Sequence, residues 1–301
     1  MNNIRGVVCT LFGGILWGFS GACGQYIFSH CQLKPIELTF FRMTISGVIL
    51  LTICAFKEKI GCFYVWRSVK NSVQVSAFAI FGIMFSQVTY LETISRSNAG
   101  TATVLQYTGP CMLVLLVCLT KKRLPTVREI SALILATSGT FILATHGNPS
   151  ALALSPSALA WGLLSAVALV LYTTLPEKLM LRFGALEVTG WAMLTGGVIL
   201  GIVLRVWNLR VQMGADGWIC LLCVAVLGTA AAYTLYLQGV ADIGPVKASM
   251  LASVEPLSAT LFSVFWLKSE FRIPDLIGFV CIIATVFLLA RAKDKKRKSE
   301  L

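Results

Sequence analysis

Charge is scarce in this chain. Only 13% of its 301 residues are Asp, Glu, Lys or Arg, where an ordinary soluble domain carries about one-quarter. With 57% hydrophobic residues and a mean hydropathy of +0.82, the chain is too apolar to cover a soluble globule and fits a polytopic membrane protein. Acidic residues are the scarcest, 13 against 25 basic ones. The basic excess falls in short clusters between apolar runs, a pattern that orients helices in a bilayer and argues against nucleic acid as a partner. Histidine is limited to His30 and His146, both at expected helix ends, so no metal site is expected. No glycine loop followed by Lys and Ser/Thr is present, which argues against direct use of ATP. No Ser-His-Asp set is visible either. These absences point away from an enzyme, and no cofactor is expected. Polar linkers long enough to hold a soluble domain are also missing.

Cysteine, by contrast, is plentiful. Cys9, Cys23, Cys54, Cys111, Cys118, Cys220, Cys223 and Cys281 lie inside apolar runs, where a free thiol behaves as a small hydrophobe. The Cys220-x-x-Cys223 pair has redox spacing but no partner pair or nearby histidine, and is read as packing.

Ten apolar stretches follow one another: Gly6–Phe28, Ile36–Phe56, Ser72–Thr93, Ala99–Leu119, Val127–Thr145, Pro156–Thr174, Glu187–Val206, Gly217–Val240, Pro245–Leu267 and Pro274–Ala290. A hydrocarbon core of ~30 Å takes about 20 apolar residues as a helix. The first run is too long for a signal-peptide core and is kept as a helix. The expected fold is therefore an all-α polytopic membrane protein of ten transmembrane helices. If the N-terminus is inside, most basic residues, including the tail from Arg291 to Lys298, collect on the cytoplasmic side. Lys34, Arg96, Arg205, Arg210, Lys268 and Arg272 fall on the other. Both termini are expected in the cytoplasm, in the inner or plasma membrane, and the basic tail is read as orientation plus attraction to anionic lipid.

The chain repeats itself. Laying Pro110 on Pro256 brings Ala102, Leu105, Leu115, Lys122, Phe141, Leu143 and Ala144 onto Ala248, Leu251, Leu261, Lys268, Phe287, Leu289 and Ala290 without a gap. Trp17-Gly18 similarly meets Trp161-Gly162. The reading is a first repeat over 1–146, a second over 156–291 and a basic tail over 292–301. Each repeat holds five spans, an odd number, so the second is expected to run inverted. Transporters built this way place the substrate near the midplane, where the halves meet.

The most telling segment is KASMLASVEP, Lys247 to Pro256. Glu255 sits near the middle of a span, where an ionisable group normally faces a cavity or the bundle interior. Pro256 follows it directly and breaks the helix at the same depth. In the first repeat Gly109 and Pro110 occupy the corresponding break. Gly109 is read as a point of close helix approach. Candidate cavity residues are Trp17, Gln87, Tyr90, Tyr107, Trp161, Tyr233 and Glu255. Gln87 and Tyr90 share a helical face by their spacing, and so do Tyr233 and Tyr236. Glu255 is also the candidate for proton coupling. Lys247 is read as reaching the cytoplasmic surface or pairing with Asp242. Arg42 lies too deep to reach the surface. It is expected to anchor a helix end, with binding of a substrate carboxylate as the alternative.

The Trp17-Gly18 opening, Arg42 within FFRMTISG, the NAGTATVLQYTGP stretch and its counterpart GPVKASMLASVEPLSATL resemble the EamA family of the drug/metabolite transporter superfamily. THGNP, SPSALAWG and GWAMLTGG are similar to its branch of carboxylate, amino-acid and amine transporters. The resemblance covers nearly the whole chain and implies ten helices in two inverted five-helix repeats, with export of small metabolites. The expected function is secondary transport by alternating access, most readily export of amino acids or related amines. The alternatives are uptake or exchange of a choline-like amine and, more distantly, a channel or membrane-embedded enzyme. The expected partners are a small-molecule substrate, the lipid bilayer and, as a candidate coupling ion, the proton. The protein is expected as a monomer or homodimer.

Overall fold

Backbone polar groups in hydrocarbon must find partners inside the protein, which leaves long apolar runs little alternative to the helix. A computed structural model describes residues 2–146, 148 and 153–299, which form helices joined by short connections with no strand among them. The first three helices are α1 (Asn2–His30), α2 (Pro35–Glu58) and α3 (Val69–Arg96). Then come α4, in two pieces (Ala99–Gln106 and Gly109–Thr120), α5 (Val127–Thr145), α6 (Pro156–Thr174) and α7 (Ala185–Val203). The last three are α8 (Ala215–Ile243), α9, also in two pieces (Pro245–Ala252 and Val254–Phe265), and α10 (Ile273–Ser299). Among the described residues nine helical regions are long and apolar enough to cross a bilayer; α10 has a shorter apolar part, Ile273–Leu288. It continues as helix into the basic tail, whose last two residues, Glu300 and Leu301, lie outside the described residues. Two short helical segments not expected from the sequence, Lys59–Arg67 and Glu177–Phe183, fill connections.

Local chemistry sets the ends. Thr126 and Glu129 cap the start of α5 reciprocally, each side chain taking the other's backbone N–H, which removes two orphan donors at once. Gly244, at φ +83°, lets the chain leave α8 and enter α9 within one residue, a backbone angle that costs glycine little. Arg5 holds Asp242 across α1 and α8 at 2.7 and 2.8 Å. Asp242 is thus committed to Arg5, not to Lys247. Where α5 crosses α10, a Cβ on Gly139 would stand 2.9 Å from the Gly278 carbonyl, so the helices touch backbone to backbone.

Packing between helices comes in matched sets. α1 lies on α8 and α9, while α6 lies on α3 and α4. α2 pairs with α7, α4 with α9 and α5 with α10. Two irregularities are matched as well. α3 widens to i→i+5 turns over Phe78–Met84, and α8 does so over Cys223–Ala231. α4 breaks at Tyr107–Thr108 and α9 at Ser253. Wide turns and breaks of this kind release carbonyls from the helical ladder and commonly mark functional places.

Candidate functional site

Prolines make the two breaks. Pro256 has no N–H for the carbonyl four residues back, that of Ala252, and α9 interrupts at Ser253. Pro110 does the same to Gln106, and the turn tightens so that Thr108 N–H bonds Leu105 O at 3.1 Å. Gly109 is buried between α4 and α6, where a Cβ would come 3.1 Å from the Ala166 carbonyl. Its role is close approach.

The breaks face each other across a cavity of about 330 Å³. Trp17 of α1, Gln87 and Tyr90 of α3, Tyr107 and Pro110 of α4, Tyr233 of α8 and Glu255 of α9 all line it. Pro256 is buried behind Glu255, outside the lining. Trp161 is elsewhere: the Arg96 guanidinium lies over its ring at 5.6 Å, near the ends of α3 and α6. Its sequence match to Trp17 does not carry over because Trp161 is close to the start of its helix, while Trp17 is deep within α1. The structure adds Arg42, Tyr172 and Tyr236 to the wall. Tyr236 shares a helical face with Tyr233, a signal already in the spacing; Tyr172 gave none, lying next to the end of α6.

Aromatic rings form one side. Trp17 meets Tyr233 edge-on at 5.6 Å and Tyr236 at 5.2 Å. The other sides hold the charges. The Tyr107 hydroxyl lies 3.1 Å from Glu255 Oε2 and 3.2 Å from the Ala252 carbonyl that Pro256 has released. It has a single proton to donate. With Glu255 ionised, the hydroxyl is drawn to the carboxylate; with Glu255 protonated, the acid can donate to the tyrosine oxygen while the tyrosine donates to Ala252. The α4 hydroxyl therefore reads the charge of Glu255 at the break of α9.

Arg42 is buried, at 7% exposure. Its Nε donates to Thr229 Oγ1 at 3.0 Å and its Nη2 reaches the Gly228 carbonyl at 3.4 Å. Ser46, one turn further along α2, donates to the Ala225 carbonyl at 2.9 Å. α2 thus grips the wide turns in the middle of α8, not the helix end that the sequence leads one to expect for Arg42.

Outside the lining, a polar knot joins α1 to α4 and α9. Gln25 of α1 accepts from the Ala99 N–H at 2.9 Å and from Ser263 Oγ at 3.0 Å, and donates to Ser269 Oγ at 2.8 Å. Tyr90 and Thr103 share a hydrogen bond of 2.7 Å. Among the described residues no cluster of His, Cys, Asp or Glu suits a metal ion.

Comparison with known proteins sets this architecture in a family. The EamA-like transporter family matches the chain twice, over residues 4–145 and 156–291. The chain belongs to that family. It is 35% identical over 295 residues to the uncharacterized inner membrane transporter YicL of Salmonella typhimurium, covering 98% of this chain and 97% of that one. A chloroplastic WAT1-related protein of Arabidopsis thaliana is 21% identical over 264 residues, which is 85% of this chain and 62% of the plant protein. A solved crystal structure aligns with TM-score 0.63 at 15% identity, over 95% of this chain and 98% of the other, and shares the fold. The EamA chain described here is a membrane transporter with a cavity between its helices.

Proposed function

We propose that this transporter is a secondary exporter of amino acids or related amines, working by alternating access around the cavity of Trp17, Gln87, Tyr90, Tyr107, Tyr233 and Glu255. The observation that carries the reading is the half-buried carboxyl group of Glu255 on the cavity wall, hydrogen-bonded by Tyr107 beside two facing helix breaks. A carboxylate at this depth is functional by default, and it can take a proton or an ammonium group in one conformation and release it in the other. That difference between states is what coupling needs. The matched helix pairs, wide turns and breaks support two five-helix repeats, 1–146 and 156–291, related as an inverted pair in a ten-helix protein. The name of the relative YicL supports a place in the inner membrane, and the basic clusters support cytoplasmic termini.

A second reading, exchange of a quaternary choline-like amine, is favoured by the ring wall of Trp17, Tyr233 and Tyr236, since aromatic faces attract desolvated cations by about 2 kcal/mol or more.

The test is Glu255→Gln. This variant keeps size and most hydrogen bonding, so it should insert in normal amount yet lose net, pH-dependent transport. Survival of exchange between preloaded and external substrate would assign Glu255 to the proton; loss of exchange would assign it to the amine. An unchanged rate and pH profile would make Glu255 a structural residue beside a kink.

A further inference from the structure

The cavity wall contains two charged side chains, Arg42 and Glu255, and they are not ion-paired with each other among the described residues. Opposite charges buried in one cavity ordinarily collapse together, because each is costly to bury alone. Here each is held back by its own anchor. Glu255 is held by Tyr107. Arg42 is held through Nε and Nη2 by the wide turns of α8. Those partners are a hydroxyl and a carbonyl, so the guanidinium has hydrogen bonds but no counter-anion. Its Nη1 group has no protein partner among the described residues and is left to the cavity that Arg42 lines. A guanidinium with its Nε/Nη2 edge tied and its Nη1 group free is preorganised to bind a carboxylate.

We propose that Arg42 binds the substrate's carboxylate and that the cavity takes zwitterions: amino acids whose ammonium group meets Glu255 while their carboxylate meets Nη1 of Arg42. This rests on the transport reading above and narrows it, because a simple or quaternary amine would leave the guanidinium without its anion. The cavity volume of about 330 Å³ leaves room for an amino-acid side chain along Trp17, Tyr233 and Tyr236. The proposal also explains the double duty of Arg42. The same wide turns that fix it against α8 prevent it from swinging across to neutralise Glu255 in the empty cavity.

The test uses the intact protein in liposomes, with counterflow of each of the common amino acids to find those exchanged. Each exchanged amino acid is then competed against its amide and its decarboxylated amine, which lack the carboxylate, and its N-acetyl derivative, which lacks the ammonium group. In the wild type both carboxylate-free analogues should compete about 10- to 100-fold more weakly than the acid, the range expected for losing a hydrogen bond to a charged group. Arg42→Gln should close that gap without closing the gap to the N-acetyl derivative, and Arg42→Lys should keep part of it. Amides and amines that match the acid in the wild type would overturn the role of Arg42 and leave the transport reading standing. So would a gap that Arg42→Gln leaves intact. Should Arg42→Gln fail to insert, the wild-type competition decides alone. Liposomes that exchange neither amino acids nor amines would overturn the functional reading and this proposal with it.

Discussion

At the scale of single residues, Tyr107 is the hinge of the account. Its hydroxyl stands between Glu255 and the orphaned Ala252 carbonyl, and only one of them can have its proton at a time. Tyr107→Phe should reduce transport by about tenfold or more, the value of a hydrogen bond to a charged group. Combined with Glu255→Gln it should add little further loss, since both remove the same interaction; fully additive losses in transport assays would separate the two roles. Tyr233 makes a complementary case. Its ring packs edge-on against Trp17, so Tyr233→Ala should weaken substrate exchange more than Tyr233→Phe. Equal exchange by both variants would remove Tyr233 from the site. Much of this wall was legible in the sequence. Glu255 and Pro256 announce themselves because a charge and a helix break coincide inside an apolar run. The bond from Tyr107 to Ala252 could not be read, because it joins residues far apart in the chain through a carbonyl that every residue has. Tyr172 and the free edge of Arg42 were hidden for the same reason: which way a helix turns its face depends on its neighbours.

At the scale of elements, the two proline-broken helices are in different states. The first piece of α4 is buried along Ala99–Leu105 and clamped by Gln25 at the Ala99 N–H. The first piece of α9 buries Ala248 and Ala252 while Lys247 and Ser249 remain exposed. Under the alternating-access reading proposed above these pieces are the natural gates, the first packed in and the second more exposed. Gln25→Leu removes three hydrogen bonds, one to the first piece of α4 at Ala99 and two to Ser263 and Ser269, each contributing about 0.5–1.5 kcal/mol. A cysteine placed at Thr101, in a background without native cysteines, should then react several-fold faster with an impermeant maleimide. Unchanged labelling would mean that Gln25 is not the lock. The sequence located these pieces through Pro110 and Pro256 but said nothing of their difference, because in the second repeat Leu169 corresponds to Gln25 and a single substitution in a repeat carries no sign of its geometry. The wide turns in α3 and α8 were equally silent, having no residue type of their own.

At the scale of the molecule, hydropathy located every long helix to within a few residues at most ends, because the bilayer demands length and apolarity together. For α10 it gave Pro274–Ala290, against a described apolar part of Ile273–Leu288. The repeat was visible through Pro110 and Pro256, yet the match of Trp17 to Trp161, two residues out of that register, did not bring Trp161 to the cavity, since matched positions need not be matched depths. Orientation is the next claim to check. Reporter fusions at Leu301 and in the 208–216 connection should report opposite sides of the membrane, with Leu301 cytoplasmic; the same side for both would contradict ten crossings. The central claim, a cavity that opens in turn to either side, is tested most directly by counterflow. Liposomes holding the purified protein, preloaded with an unlabelled amino acid and given no nucleotide, should accumulate the labelled form transiently above equilibrium. Glu255→Gln should alter that overshoot. Simple equilibration of label, with no overshoot for any amino acid or amine in the wild type, would contradict the account.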